Sequence, residues 1–278
     1  MLFLLLFLPL MSANASEPDC ETSVYCIDEN SWQLGIAMGL GGRTNPLVDG
    51  DAVPFLLLPD IAYYGESFYF DNGELGFQFY PTQNTSIETF IAPNSERANF
   101  SFWHPSNILI PAASFGSDAT GIDDELELSI EQIETRKWAI DGGIRLQWYH
   151  QSHHFQIKFI TDVSGVHNGQ QINLAYRYLL HKDNWRLNLG PQVKWMSSQL
   201  TDYYYGVRKG DTPIEELFYE ASSGFQYGLD LNASYAVNAH WQWLFRTSYT
   251  KLHEGMSDSP IVEDDYVASA FVGIAYRF

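Results

Sequence analysis

Cysteine is nearly absent from this chain, positive charge is scarce, and no long apolar run follows the first dozen residues. Two cysteines, Cys20 and Cys26, are too few for a disulfide-stapled scaffold or a four-thiolate metal centre. Lys and Arg number 15 against 34 Asp and Glu, a formal net charge of −19, which argues against nucleic acid and anionic lipid surfaces as partners because both would be repelled. No segment after Met11 approaches the roughly 18 to 20 uninterrupted apolar residues that a spanning helix needs, so a helical membrane protein is excluded.

At the start, Met1 to Met11 are almost wholly apolar, although no Lys or Arg precedes them. Ala13-Asn14-Ala15 then supplies the small-x-small pattern of a cleavage site, which predicts a signal peptide over 1–15. An exported chain meets an oxidising compartment, where Cys20 and Cys26 can close a small disulfide loop; a two-cysteine metal pair is the other reading. Residues 16–30 then form a periplasmic N-terminal segment and 31–278 one domain.

From Trp138 onward, segments of about ten residues alternate apolar with polar or small side chains, the period of strands with two unlike faces. Ile140, Ile144, Leu146 and Trp148 oppose Asp141, Arg145 and Gln147. Ile172, Leu174, Tyr176, Tyr178 and Leu180 oppose Asn173 and Arg177, and Trp185, Leu187, Leu189, Val193 and Trp195 oppose Arg186, Asn188, Gln192 and Lys194. The rule repeats twice more, with Asp230 and then Arg246 on the polar faces of strands rich in Tyr, Trp and Phe.

A soluble sandwich also alternates. Here, however, aromatics gather at the ends of the apolar faces (Trp148-Tyr149, Trp185, Trp195, Trp241, Trp243), as an aromatic girdle at two lipid interfaces requires. Link lengths agree with that reading: short links near 151–153, 181–184 and 237–240 alternate with long ones at 162–170, 198–222 and 251–265. Earlier strands are predicted at Trp32 to Leu40, Pro54 to Tyr64, Ser67 to Asp71, Glu74 to Tyr80 and Ser86 to Ala92, with Asn72-Gly73 as a turn. The fold predicted is an all-β, antiparallel up-and-down transmembrane barrel of about twelve strands, ten being the alternative. Its turns are short on the periplasmic side and its loops longer outside. Asn94 to Arg136 is predicted as a long external loop in which Leu126, Leu128 and Ile130 could extend a strand. The acidic runs Asp123-Asp124-Glu125 and Glu263-Asp264-Asp265 fall in external loops too.

The last strand places Ile274, Tyr276 and Phe278 on one face and ends on the aromatic itself, which resembles the signal read by the barrel-assembly machinery. Several ordered strings resemble the MipA/OmpV family, the MltA-interacting proteins of the outer membrane. They are Tyr69-Phe70-Asp71-Asn72-Gly73-Glu74-Leu75-Gly76, Arg136-Lys137-Trp138-Ala139-Ile140-Asp141-Gly142-Gly143, and Asp162-Val163-Ser164-Gly165 with His167 and Gly169. Tyr204-Tyr205-Gly206-Val207, Asp258-Ser259-Pro260-Ile261-Val262 and Tyr276-Arg277-Phe278 complete the set. The resemblance implies a barrel in the Gram-negative outer membrane, in contact with its lipid, that scaffolds a murein hydrolase and synthase during wall growth.

Chemistry is sparse. His150, His153 and His154 sit at a short turn where exposure argues against a metal site. Acidic loop runs lack the glycine-bearing spacing of a calcium loop. Ser248, His253 and Asp258 lack a nucleophile motif. No catalytic, cofactor or metal residues are therefore assigned. Asp141, Arg145, Lys158, Arg177, Arg186, Lys194, Asp230 and Arg246 are expected to line the lumen and to pair with one another and with the polar residues across it. A filled lumen fits a non-enzymatic scaffold, an open one fits a narrow small-solute channel tuned by those charges, and a lipid-modifying enzyme comes third.

Overall fold

The computed structural model describes residues 30–101, 104–109 and 128–278. The leader, Cys20, Cys26, the run Asp123-Asp124-Glu125 and Leu126 lie outside them. Twelve strands form one closed barrel: β1 Ser31–Arg43, β2 Val53–Tyr64, β3 Phe68–Asp71, β4 Glu74–Thr82, β5 Thr85–Pro93, β6 Ile140–His150, β7 His153–Asp162, β8 Gln170–Lys182, β9 Trp185–Met196, β10 Gly224–Ala236, β11 Trp241–Lys251 and β12 Tyr266–Arg277. Each strand pairs antiparallel with its neighbour in sequence, and β12 closes on β1 from Gly35↔Arg277 to Arg43↔Ser269. Leu128 and Ile130 extend no strand; they belong to a loop.

Closure is what a membrane demands, because each peptide group left unpaired in hydrocarbon costs several kcal/mol. At the seam the two backbones meet across glycine. A Cβ on Gly39 would lie 2.2 Å from the Val272 carbonyl oxygen and 2.8 Å from the Phe271 ring, so the buried Phe271 lies over a backbone with no side chain. On the inner wall here, Phe55, Leu58, Leu244, Ala275, Val53 and Ala37 pack with Phe271 into an apolar layer.

The outer face runs against the habit of a protein in water. Leu229 is 52 % exposed, Phe159 53 %, Phe245 43 % and Leu174 46 %, and such side chains recur at every second position round the wall. A continuous apolar band of this kind is stable only against lipid. At the end of the barrel that carries the chain's C-terminus, cross-strand aromatic pairs make a belt, with ring centres 5.4 Å apart for Trp148 and Phe155, 5.0 Å for Trp185 and Tyr235, and 4.8 Å for Trp241 and Tyr276. Tyr149 departs from the girdle expected for it: it stands on the inner face, stacked 4.3 Å from His154.

Short links occupy that same end. Gln151 and Asp183 take positive φ of 50° and 51° in their tight turns, the link between β4 and β5 is equally brief, and that between β10 and β11 spans 237–240. By the rule of outer-membrane barrels this end faces the periplasm, and the long loops face outward. The β3–β4 hairpin is shorter than the rest. Asn72 and Gly73 turn it at φ 48° and 98°, and the Asn72 side chain accepts from the Ile61 N–H and donates to Asp60.

Replacing Leu229, halfway along β10 on the lipid face, tests the placement. Leu229→Arg is expected to destabilise the barrel by about 2 to 4 kcal/mol and Leu229→Phe by far less, as read by urea unfolding in lipid vesicles.

Candidate functional site

The external loops are folded, and they fold on one another. Arg136, buried before β6, donates to Asp211 at 2.9 Å and to the Gly206 carbonyl at 2.8 Å. This joins the loop between β5 and β6 to the one between β9 and β10. Within the latter, a helix spans Ser198–Tyr205, capped by the Ser197 side chain, which accepts from the Leu200 N–H. Its Tyr205 carbonyl accepts from the Ser259 hydroxyl at 2.5 Å, bringing in the loop before β12. That loop bridges to the loop between β1 and β2 through Leu47↔Val262, and the Leu128 N–H, in the loop between β5 and β6, donates to the Pro260 carbonyl. At the centre, Leu200, Tyr204, Tyr205, Met196, Met256 and Ile261 are almost wholly buried. Loops rarely own a core; this set shares one, and it forms a cap over the external mouth.

The cap reaches down into the barrel through the turn Ser95–Phe100, which Asn94 caps by accepting from the Glu96 N–H. Glu96 is buried. It accepts from Lys194 on β9 at 3.2 Å and from the Tyr205 hydroxyl at 2.7 Å. Burial alone would raise its carboxyl, but Lys194, the Tyr205 hydrogen bond and Arg43 outweigh burial and hold it below the ordinary carboxylate range. Asp211 is held low in the same way: burial opposes, and Arg136 prevails. Burial, with Arg97 and Arg43 nearby, pushes His104 down to about 4, so it is neutral where it stacks on Trp138 at 4.9 Å.

Below the cap the inner wall is polar, and several of its charges are paired. Arg145 on β6 reaches past β5 to Glu74 at 2.6 Å and meets Glu88 at 2.6 Å, with its guanidinium over the Phe90 ring at 4.8 Å. Lys158 stands over the same ring at 5.6 Å. Arg177 meets Asp230 at 3.5 Å, and Asp230 also accepts from Gln192 at 3.3 Å. Removing one member of such a buried set leaves an uncompensated charge and costs about 3 to 5 kcal/mol. The eight charges singled out in the sequence were expected to pair with one another and with polar residues across the lumen; among the described residues Arg177 and Asp230 pair with each other. Arg145 and Lys194 instead find Glu74, Glu88 and Glu96, which lie in the half of the chain where alternation is weak.

Asp141 takes a different role. It accepts from Asn94 at 2.7 Å and faces His167 Nε2 at 3.4 Å. With Asp162 these residues bring three ligand-type atoms within 4.8 Å of one another. The His167 and Asp162 atoms are already in use, however, while Asp141 Oδ1 has no hydrogen-bond partner among the described residues. His167 Nδ1 accepts the Gly169 N–H, so a neutral ring carries its proton on Nε2. Both Asp162 oxygens accept backbone N–H groups, from Ser164 and Gly165 on one and from His167 and Asn168 on the other. The arrangement works as a clasp that shapes the loop between β7 and β8.

The histidines at the short turn correct the expectation that all three are exposed. His154 is buried and hydrogen-bonded to Gln147 at 2.8 Å, and His153 meets the Tyr176 hydroxyl at 2.8 Å. Ser248 shares its hydroxyl with Ser269 at 2.7 Å, and the ring nitrogens of His253 are buried without hydrogen-bond partners. Arg186 and Arg246 project into a cavity of about 450 Å³ at the periplasmic end, where the wall also carries Arg277.

The chain is similar in sequence to known proteins. The model of the family described as "MltA-interacting protein MipA" matches residues 34–278. The MltA-interacting protein of Escherichia coli is 23% identical over 251 residues, which cover 90% of this chain and 91% of that one. Outer membrane protein OmpV of Vibrio cholerae is 22% identical over 90% of this chain and 88% of its own. Among solved structures, the NanC porin aligns over 88% of this chain and 100% of its own, with 8% identity and a TM-score of 0.44.

Glu96 gives the cap an acid limit. A carboxyl whose folded pKa is lowered stabilises fully above its unfolded value, about 4.3, and that contribution is lost as pH falls through the folded value. Amide-exchange protection along Ser198–Tyr205 is expected to be level above about pH 5 and to fall in more acidic solution. In Glu96→Gln it should be lower throughout and less steeply pH-dependent.

Proposed function

The chain belongs to the MltA-interacting protein family of outer-membrane β-barrels, and from that membership we propose that it is a non-enzymatic interaction protein, closed to the outside and engaging its partners from the periplasmic end. The observation that carries this reading is the cap. Tyr204, Tyr205, Met196, Met256 and Ile261 at 0 % exposure make a core across the external mouth, and beneath it Arg145, Arg177 and Lys194 are held by carboxylates. A pore has the opposite needs, a continuous aqueous path with charge available to the passing ion.

The partner class follows from the relatives' printed name. A protein called MltA-interacting engages MltA, and we assign this chain a comparable partner in the murein hydrolase and synthase machinery. The periplasmic turns, 151–152, 183–184 and 237–240, are the surface that such a partner reaches. The channel reading keeps one support, the cavity at the periplasmic end, which shows that the barrel is not filled throughout.

Planar-bilayer recording separates the two. The refolded barrel is expected to be silent; steady conductance whose selectivity shifts in Arg145→Ala or Arg177→Ala would overturn the proposal. Photo-crosslinkers placed at Gln151, Asn184 and Asn238 are expected to capture the purified MltA homologue of the same bacterium, and capture only from the external loops would contradict the assigned side.

A further inference from the structure

The cations of the barrel fall into two groups. In the upper interior Arg145, Arg177 and Lys194 each have a carboxylate within 3.5 Å, and Lys158 stands over the Phe90 ring. At the periplasmic end Arg186 on β9, Arg246 on β11 and Arg277 on β12 line one cavity of about 450 Å³. Among the described residues neither Arg186 nor Arg277 has a carboxylate within ion-pair distance, and both are exposed. Arg246 shares a smaller adjoining recess with Asp60. Three guanidinium groups therefore face one carboxylate, a local excess of positive charge in a chain whose formal net charge is −19. Fifteen basic residues serve the whole sequence, and three of them converge here.

The rest of the wall suits a small ligand. Asn188, Asn232 and Gln242 offer amide donors and acceptors, and Leu179 and Leu244 supply apolar surface. The volume falls within the range of small-molecule sites, roughly 300 to 1,000 Å³. Guanidinium forks match planar carboxylates in paired hydrogen bonds, and low-dielectric walls strengthen the attraction. Lining residues Gln151 and Ser152 belong to a periplasmic turn, and Arg277 ends the last strand, so the opening faces the periplasm.

We infer that the periplasmic half of the barrel is a binding site for a carboxylate-bearing solute, held by Arg186, Arg246 and Arg277. The inference takes from the proposed function only the closed external mouth, which makes the site a blind pocket. Binding does not require that closure, so a conducting barrel would overturn the proposed function and leave this inference standing.

The test is calorimetric titration of the full barrel in lipid nanodiscs with citrate, with glycerol and inorganic phosphate as parallel probes. Citrate is expected to bind, to weaken as salt is raised, and to lose tenfold or more in affinity in the double variant Arg186→Gln, Arg277→Gln; glycerol should give no signal. Both positions are exposed at the barrel end, and heat-modifiable gel migration with a β-type dichroism spectrum establishes that the variant is folded. Citrate affinity unchanged in the folded variant would overturn the inference. So would the absence of citrate binding by the folded wild-type barrel, or phosphate binding in its place.

Discussion

Hydrocarbon offers a peptide group no hydrogen-bond partner, and the rest of this molecule is arranged around that constraint. Twelve strands can satisfy it only as a closed ring, so the pairing of β12 with β1 holds every other pairing in place. Closure fixes two faces. One must be apolar over its whole height because lipid surrounds it. The other is walled off from lipid and can hold charge, provided that the charges are matched. Glycine at the seam and the apolar layer around Phe271 narrow the interior on one side, and the network around Arg145 occupies the other.

A ring leaves two open ends, and this chain treats them differently. Four loops interlock at the external end around a common core, with Arg136, Tyr205 and Ser259 linking segments far apart in sequence. Glu96 carries the linkage inward to Lys194, so the cap is fastened to the wall as well as to itself. Among the described residues the periplasmic end has short turns. Asymmetry of loop length, which barrel topology imposes, underlies the proposed asymmetry of access, closed towards the medium and open towards the cell.

Much of the barrel was legible in the sequence because period-2 alternation is a local property. Strand number, the sidedness of the turns and the Asn72-Gly73 hairpin all come from residues near one another in the chain. What alternation reports is a face; it does not report a partner. Arg145 was placed on the inner face by its neighbours Ile144 and Leu146, but nothing nearby points to Glu74, 71 residues away. The cap was illegible for a related reason: its helix and turns are short, its core is assembled from four loops, and no single loop shows a pattern. Arg136, Tyr204, Tyr205, Ser259 and the Asp162 loop came forward only as strings resembling a family, and the structure gives those strings a physical reason: the first four residues join the cap, and Asp162 shapes the loop between β7 and β8. Arg277 was passed over because it stood within a terminal string valued for its aromatics.

The central claim is one of sidedness, an interior reached from the periplasm and from nowhere else. It is tested most directly by accessibility of Ser234, which lines the periplasmic cavity. In a chain with Cys20 and Cys26 replaced by serine, Ser234→Cys is placed in proteoliposomes whose barrel orientation is established by protease mapping, and a membrane-impermeant thiol reagent is added to one side at a time. The account predicts rapid labelling from the periplasmic side and none from the external side. Equal labelling from both sides would contradict it.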